Sequence, residues 1–328
     1  MRGERAATAE LGTGHDIRHL IHCPPSWDHY LLDAPSNGEE RFVLAGEIPL
    51  RHPLFNDGSG HFHDHQLTTE AIREIGEFVG HQYFGVPARR RGLFYRFSLE
   101  LTDLTAWRVE SRPARMTTDI RATPANSVHG VPRGLDFHLS VQIDDVPCAT
   151  GSAALVFVPP VLHRSHQEHS SWAVRATPEL ADEPDGPTWP VSAAAVGRAA
   201  PQNVVISEPT ESSRGQLSTW VLSRADHPVL GSGGGPHVSG TLLLESLRQS
   251  SLLAASRAFG LAPGRSTLVA TDIHVSGYAD TDLPLRCAVV PGQLGRDAAG
   301  RPAVPVTLTL TQHRRAVAEA RTTVVQDF

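Results

Sequence analysis

Apolar side chains recur at helical spacing in two places along the 328-residue chain. In residues 68–84 (TTEAIREIGEFVGHQYF), Ile72, Ile75, Val79 and Tyr83 share one helix face. In 241–259 (TLLLESLRQSSLLAASRAF), Leu244, Leu247, Ser251, Ala255 and Ala258 do the same. Both patterns predict long helices, each followed by a glycine suited to the left-handed cap position, Gly85 and Gly260. The second helix contains little but Leu, Ala and Ser around its Glu, Arg and Gln, so it is expected to be enclosed on most sides. Short, roughly alternating or apolar runs predict strands at 41–50, 93–104, 115–123, 134–144 and 150–158. A second set lies at 216–223, 267–277, 284–291, 303–313 and 315–326.

A shift of 175 residues superposes the two sets without a gap over some forty positions. His52-Pro53 falls on His227-Pro228, Glu70 on Glu245, Arg73 on Arg248, Phe84-Gly85 on Phe259-Gly260 and Leu93 on Leu268. Five matches in register point to a duplicated unit. One strand, a turn, a long helix and then several strands is an α+β order, with an antiparallel sheet wrapped around the helix, as in a hot-dog domain. The chain is therefore expected to hold two tandem hot-dog domains, 17–160 and 191–328. A polar tail (1–16) and a Pro-, His- and acid-rich linker without periodicity (161–190) complete it.

With 40% hydrophobic and 20% charged residues, the composition is that of a soluble globular protein. The net charge of -6 argues against a nucleic-acid partner, and the Arg89-Arg90-Arg91 run reads as a solvated loop. No apolar run is long enough to span a bilayer and residues 1–16 lack a signal-peptide core, so a cytoplasmic location is expected. Cys23, Cys148 and Cys287 form no CxxC pair and read as buried reduced thiols. The run His61-Phe62-His63-Asp64-His65 has a metal-like composition, but the repeat carries no counterpart and a polar loop explains it; neither metal nor cofactor is expected.

A Glu and an Arg three apart share a helix face and can pair. The bland reading is an exposed ion pair. Here the pair recurs in register, and in the second copy it sits among Leu242, Leu243, Leu244, Leu252 and Leu253, where charges are costly unless paired and used. Near a helix N-terminus, backbone N–H groups can polarise a thioester carbonyl while a carboxylate takes a proton from an attacking hydroxyl. The Arg offers a planar fork for a phosphate. Gly240, five residues before Glu245, permits a close backbone approach.

The stretches 52–87 and 227–260, with leading segments 17–32 and 196–207, resemble the two halves of A-factor synthase-like (AfsA-type) γ-butyrolactone biosynthesis proteins. The resemblance covers nearly the whole chain beyond residue 16. It implies an actinobacterial acyltransferase acting in control of antibiotic production. The expected reaction moves a β-ketoacyl group from an acyl carrier protein, or CoA, thioester to dihydroxyacetone phosphate. Carried over by position, the catalytic residues are Glu245, Arg248 and Glu70. Arg73, His237, Gly240, His227 and His52 are candidate substrate contacts. The second pair is expected to react, with Glu70 in support, in a monomer or homodimer.

The family's Asp-His-x-Pro-Gly approach to the second helix reads here Pro236-His237-Val238-Ser239-Gly240, and the run Gly231 to Gly235 replaces an upstream His. A hot-dog dehydratase would need His where Asn56 and Gly231 stand. The alternatives are a hot-dog acyl thioesterase, with water as acceptor, and a non-catalytic acyl-binding paralogue.

Overall fold

The computed structural model describes residues 31–33, 40–48, 52–176, 188–212 and 215–328. The expected tail 1–16, the leading segment up to residue 30 and Cys23 lie outside them. The first unit runs β1 (Leu31–Asp33), β2 (Arg41–Glu47), α1 (Gln66–Tyr83), β3 (Arg91–Leu101), β4 (Arg115–Ala125), β5 (Gly134–Ile143) and β6 (Val146–Val158). After α2 (Pro160–Arg175), the second unit follows as β7 (Thr210–Glu211), β8 (Leu217–Trp220), α3 (Gly240–Phe259), β9 (Ser266–Val275), β10 (Arg286–Pro291), β11 (Gly295–Arg296), β12 (Pro302–Gln312) and β13 (Arg315–Gln326). Every expected helix and strand is present. The stretch expected to be an aperiodic linker opens with α2.

One antiparallel sheet runs through both units in the order β1-β2-β4-β5-β6-β3-β9-β13-β12-β10-β8-β7, with β11 on β12. The two halves of that order mirror each other about the β3–β9 join. There Phe97 pairs with Ile273 and Ser98 with Asp272. The 175-residue shift carries Phe97 to Asp272 and Ser98 to Ile273, so each pair maps onto the other. The duplication thus builds a pseudo-two-fold axis between these pairs. Matching hairpins close the strands β5–β6 and β12–β13, at Asp144-Asp145 and His313-Arg314, with positive φ at both central residues.

Each helix lies on its own stretch of sheet, and two apolar cores form, with Leu242 and Leu253 of α3 joining the one around α1. On α1 the sheet comes so close that a Cβ on Gly76 would stand 2.5 Å from Phe94 Cζ, and one on Gly80 2.0 Å from Phe157 Cζ. The equivalent α3 positions, Ser251 and Ala255, are fully buried, and every residue from Gln249 to Ala255 is buried, as the apolar sequence of this helix implied. Cys148 and Cys287 are buried free thiols. No helix among the described residues is long and apolar enough to cross a membrane.

Candidate active site

The N-terminal turns of the two helices meet each other. At one end, Thr241 of α3 donates its hydroxyl to Glu70 Oε1 at 2.9 Å, and Arg73 Cδ lies 4.0 Å from where a Gly240 Cβ would sit. At the other, Asp64, just before α1, stands 4.0 Å from Arg248 Nε of α3. The Glu-x-x-Arg pairs therefore do what the spacing implied, and each faces the first turn of the other unit's helix.

Arg73 grips Glu70 through Nε at 2.9 and 3.0 Å. The carboxylate is buried and the Arg73 side chain 21% exposed, so this end reaches solvent through its arginine. Ser239 caps α3, its side chain accepting from Leu242 N–H at 3.2 Å. Leu243 N–H bonds the Ser239 carbonyl. Among the described residues no acceptor is bonded to the backbone N–H of Gly240 or Thr241, leaving two donors at the positive end of a 20-residue helix.

Glu245 is filled from all sides. Arg198 forks onto it at 2.8 and 2.7 Å, Gln249 donates at 2.6 Å, and Arg248 at 3.3 Å. Arg198 also pairs with Asp64 Oδ2 at 2.9 Å and donates to the Leu54 carbonyl at 2.8 Å. Asp64 Oδ1 in turn takes the Gln66 N–H of α1 at 3.1 Å, and the Leu67 and Thr68 N–H groups are also occupied. Two carboxylates and two guanidiniums thus balance in a buried cluster that stitches the units together.

The electrostatics of the cluster follow from burial and charge. Burial pushes the Asp64 carboxyl up, but Arg198 and then Arg248 outweigh it and hold it at about 2. Burial likewise opposes the Arg198 charge, which Glu245 and Asp64 restore, so this guanidinium stays protonated. His65 is pushed down to about 4 by burial against Asp64, and its Nδ1 has no partner. It is a neutral imidazole at ordinary pH.

The other candidates divide. His52 Nδ1 accepts from the N–H of Leu54 and Phe55 at 3.1 and 2.9 Å. His227 Nδ1 accepts from Val229 and Leu230 at 3.1 and 3.0 Å, and its Nε2 therefore donates to Asn203 Oδ1 at 2.7 Å. Both histidines cap equivalent turns. His237 sits at the approach to α3 with Nδ1 3.1 Å from Asp280. Gly231, one of the two positions where a dehydratase would need His, admits no side chain: a Cβ there would meet the Ala225 carbonyl oxygen at 2.5 Å. Asn56 takes up the equivalent turn with φ 60° and accepts the Asp64 N–H. Gly231 thus sits in a tight turn.

The histidine-rich run also disperses. His61 pairs with Asp327, His63 is buried beside the Trp107 backbone, and His65 joins the Glu245 cluster. Asp64 and Arg198 escaped the sequence reading. Asp64 lies in a stretch whose polarity alone predicts a loop, and the signal for Arg198 is a lone charge in the mostly apolar run from Val196 to Ile206. Gln249, one turn after Glu245 in an apolar helix, was the most legible of the missed partners.

The family model for the A-factor biosynthesis hotdog domain matches residues 18–159 and 180–326. A 2-oxo-3-(phosphooxy)propyl 3-oxoalkanoate synthase of Streptomyces coelicolor is 28% identical over 88% of this chain and 85% of its own length. A protein of the same description from Streptomyces griseus is 30% identical over 69% of this chain and 70% of its own. Among solved structures, one described as an oleoyl thioesterase of Lactobacillus plantarum superposes with a TM-score of 0.52 at 11% identity, over 88% of this chain and 96% of that one. That likeness speaks to the fold alone.

Proposed function

The chain belongs to the A-factor biosynthesis hotdog family, and from that premise we propose that it transfers a 3-oxoacyl group from a thioester to the free hydroxyl of dihydroxyacetone phosphate. The product named for its relatives is that ester, joining a 3-oxoalkanoate to a phosphooxypropyl unit. The donor is a thioester of an acyl carrier protein or of CoA, and such a donor puts the enzyme in the cytoplasm.

The observation that carries this reading is the Glu70–Arg73 pair set against the two open N–H groups of α3. Those donors suit a carbonyl oxygen that gains charge as the tetrahedral intermediate forms. Arg73, the more exposed of the two helix arginines, suits the acceptor's phosphate. Glu70 orients both Arg73 and Thr241. The weight of the reaction moves to this end of the seam and away from Glu245, whose oxygens are engaged by Arg198, Arg248 and Gln249.

Incubating the protein with a 3-oxoacyl thioester, with and without dihydroxyacetone phosphate, and resolving the products by mass spectrometry tests the proposal. The phosphorylated ester, formed only with the acceptor present, is the expected result. Free 3-oxo acid released at the same rate with or without acceptor would identify a thioesterase instead.

A further inference from the structure

Transfer to a hydroxyl needs a group that takes its proton, and both helix carboxylates already accept from cationic donors. The approach to α3 supplies another. His237 and Asp280 are bridged backbone to backbone, with Val238 N–H on the Ala279 carbonyl at 2.8 Å and Thr281 N–H on the Pro236 carbonyl at 2.9 Å. The His237 Nδ1 lies 3.1 Å from Asp280 Oδ1. A carboxylate there accepts the Nδ1 proton and leaves Nε2 with its lone pair, the arrangement that turns an imidazole into a base.

Asp280 is itself held from three directions. Ser171 donates to Oδ1 at 2.7 Å and Arg175 to Oδ2 at 3.0 Å, both from α2. Gln312 holds its backbone, accepting the N–H at 2.8 Å and donating to the carbonyl at 2.9 Å. Arg175 is fixed in turn by Asp282 at 2.9 and 3.0 Å. The helix between the two units therefore reaches across to the only carboxylate that touches His237 among the described residues.

The segment from His237 leads into the first turn of α3, which meets α1. Thr241 meets Glu70, and Gly240 lies along Arg73. His237 packs on the Tyr278 ring at 5.0 Å, and Tyr278 faces His163 of α2 at 5.8 Å. His163 feels the charges of Glu77, a turn beyond Arg73, and of Arg91. The Tyr278 hydroxyl is buried with no partner, an unused donor on the same wall.

We propose that His237 Nε2 accepts the proton of the acceptor hydroxyl, and that α2 acts as a positioning element by holding Asp280 against His237. This rests on the acyl-transfer reading above. The acceptor oxygen forms its bond to the thioester carbonyl carbon as its proton moves to Nε2. The carbon–sulfur bond then breaks, and the departing sulfur takes that proton from Nε2 to leave as a thiol. Atoms and charge balance with no further reactant.

The test is steady-state kinetics on the full-length protein with 3-oxoacyl thioester and dihydroxyacetone phosphate. His237→Ala is expected to lower kcat by about 10²–10⁴-fold, with KM for both substrates within about two-fold and part of the loss restored by added imidazole. Asp280→Asn is expected to lower kcat by about 10–100-fold at unchanged KM, with Asp280→Glu recovering part of it. Should His237→Ala not fold, His237→Gln keeps a donor toward Asp280 without a base and carries the same test. A kcat within three-fold of wild type, or a loss seen only in KM and not restored by imidazole, overturns the proposal. Wild-type release of free acid in place of ester overturns the transfer reading alone, since the same variants then test His237 as the base for water. A wild type that consumes no thioester overturns both.

Discussion

Thr241 donates its hydroxyl to Glu70 Oε1 at 2.9 Å and so ties the first turn of α3 to α1 across the boundary between the two units. Its counterpart under the 175-residue shift is Gln66, whose backbone N–H goes to Asp64 instead. One duplicated framework has thus produced two different ends. At the Glu245 end a second carboxylate and a second guanidinium fill the helix N-terminus from within. At the Glu70 end the first-turn donors stay open.

Arg198 is the keystone of the filled end. Replacing it by Met leaves Glu245 and Asp64 buried with only Arg248 to balance them. Breaking a buried pair in this way costs about 3–5 kcal/mol. Arg198→Met is expected to lower the unfolding free energy measured in urea by that amount, while Glu70→Gln is expected to cost less, because the 21% exposed Arg73 side chain can turn to solvent. Equal midpoints for Arg198→Met and wild type would remove the cluster from the stability of the fold. The same reasoning makes Glu245→Gln a poor probe of catalysis, since lost activity and lost structure would arrive together.

His65 makes stability depend on pH. Burial holds its folded form at about 4 against 6.5 when unfolded. The unfolded chain therefore binds the extra proton first. The stabilisation is fully present above pH 6.5 and is lost as pH falls toward 4, by about 3 kcal/mol at most. His63, His163 and His227 are shifted in the same direction, chiefly by burial, so the contribution is read by difference. His65→Gln is expected to show a shallower fall in urea midpoint between pH 7 and pH 5 than wild type. Parallel curves would count against it.

The duplication was legible because apolar spacing and landmark residues survive at a fixed offset, and the sheet join obeys that offset to the residue at Phe97 and Ser98. Helix α2 was not, because its buried positions are His163, Ser170 and Val174 while Val161, Leu162 and Trp172 face solvent. A helix docked by Ser171 and Arg175 leaves no hydrophobic period to read. The site was half legible for a related reason. Glu70–Arg73 and Glu245–Arg248 are local pairs that helix spacing reveals. Arg198–Glu245, Arg198–Asp64 and His237–Asp280 join residues brought together only by docking of the two units or of distant loops.

The glycine turn gives a prediction independent of chemistry. Gly231 donates its N–H to the His227 carbonyl, and a Cβ would stand 2.7 Å from that oxygen as well as 2.5 Å from that of Ala225. Both obstacles are backbone, so neither can swing aside. Gly231→Ala is expected to destabilise by about 1–3 kcal/mol. Gly234, where nothing lies within 4 Å and only a φ of +81° is at issue, should tolerate Ala with a smaller loss. Thermal denaturation of the two variants side by side checks the order, and a reversed order would show that turn conformation outweighs the close approach.

Arg73 and Arg248 occupy equivalent positions, yet their replacement should fail in different ways. Arg73 pairs with Glu70 through a 21% exposed side chain that can turn toward an incoming anion. Arg248 is spread between Glu245 and Asp64 inside the cluster. A charge-assisted contact to phosphate contributes about 1.5–3 kcal/mol, which is a ten- to hundred-fold change in binding. Arg73→Ala is therefore expected to raise the KM for dihydroxyacetone phosphate by that factor. It should also collapse the preference for the phosphorylated acceptor over dihydroxyacetone itself. Arg248→Ala is expected to lower the melting temperature while keeping that preference in whatever enzyme remains folded. Measuring both acceptors with both variants decides the matter. If Arg73→Ala still prefers the phosphorylated acceptor by the wild-type ratio, the phosphate is held elsewhere, and Arg73 serves only to orient Glu70.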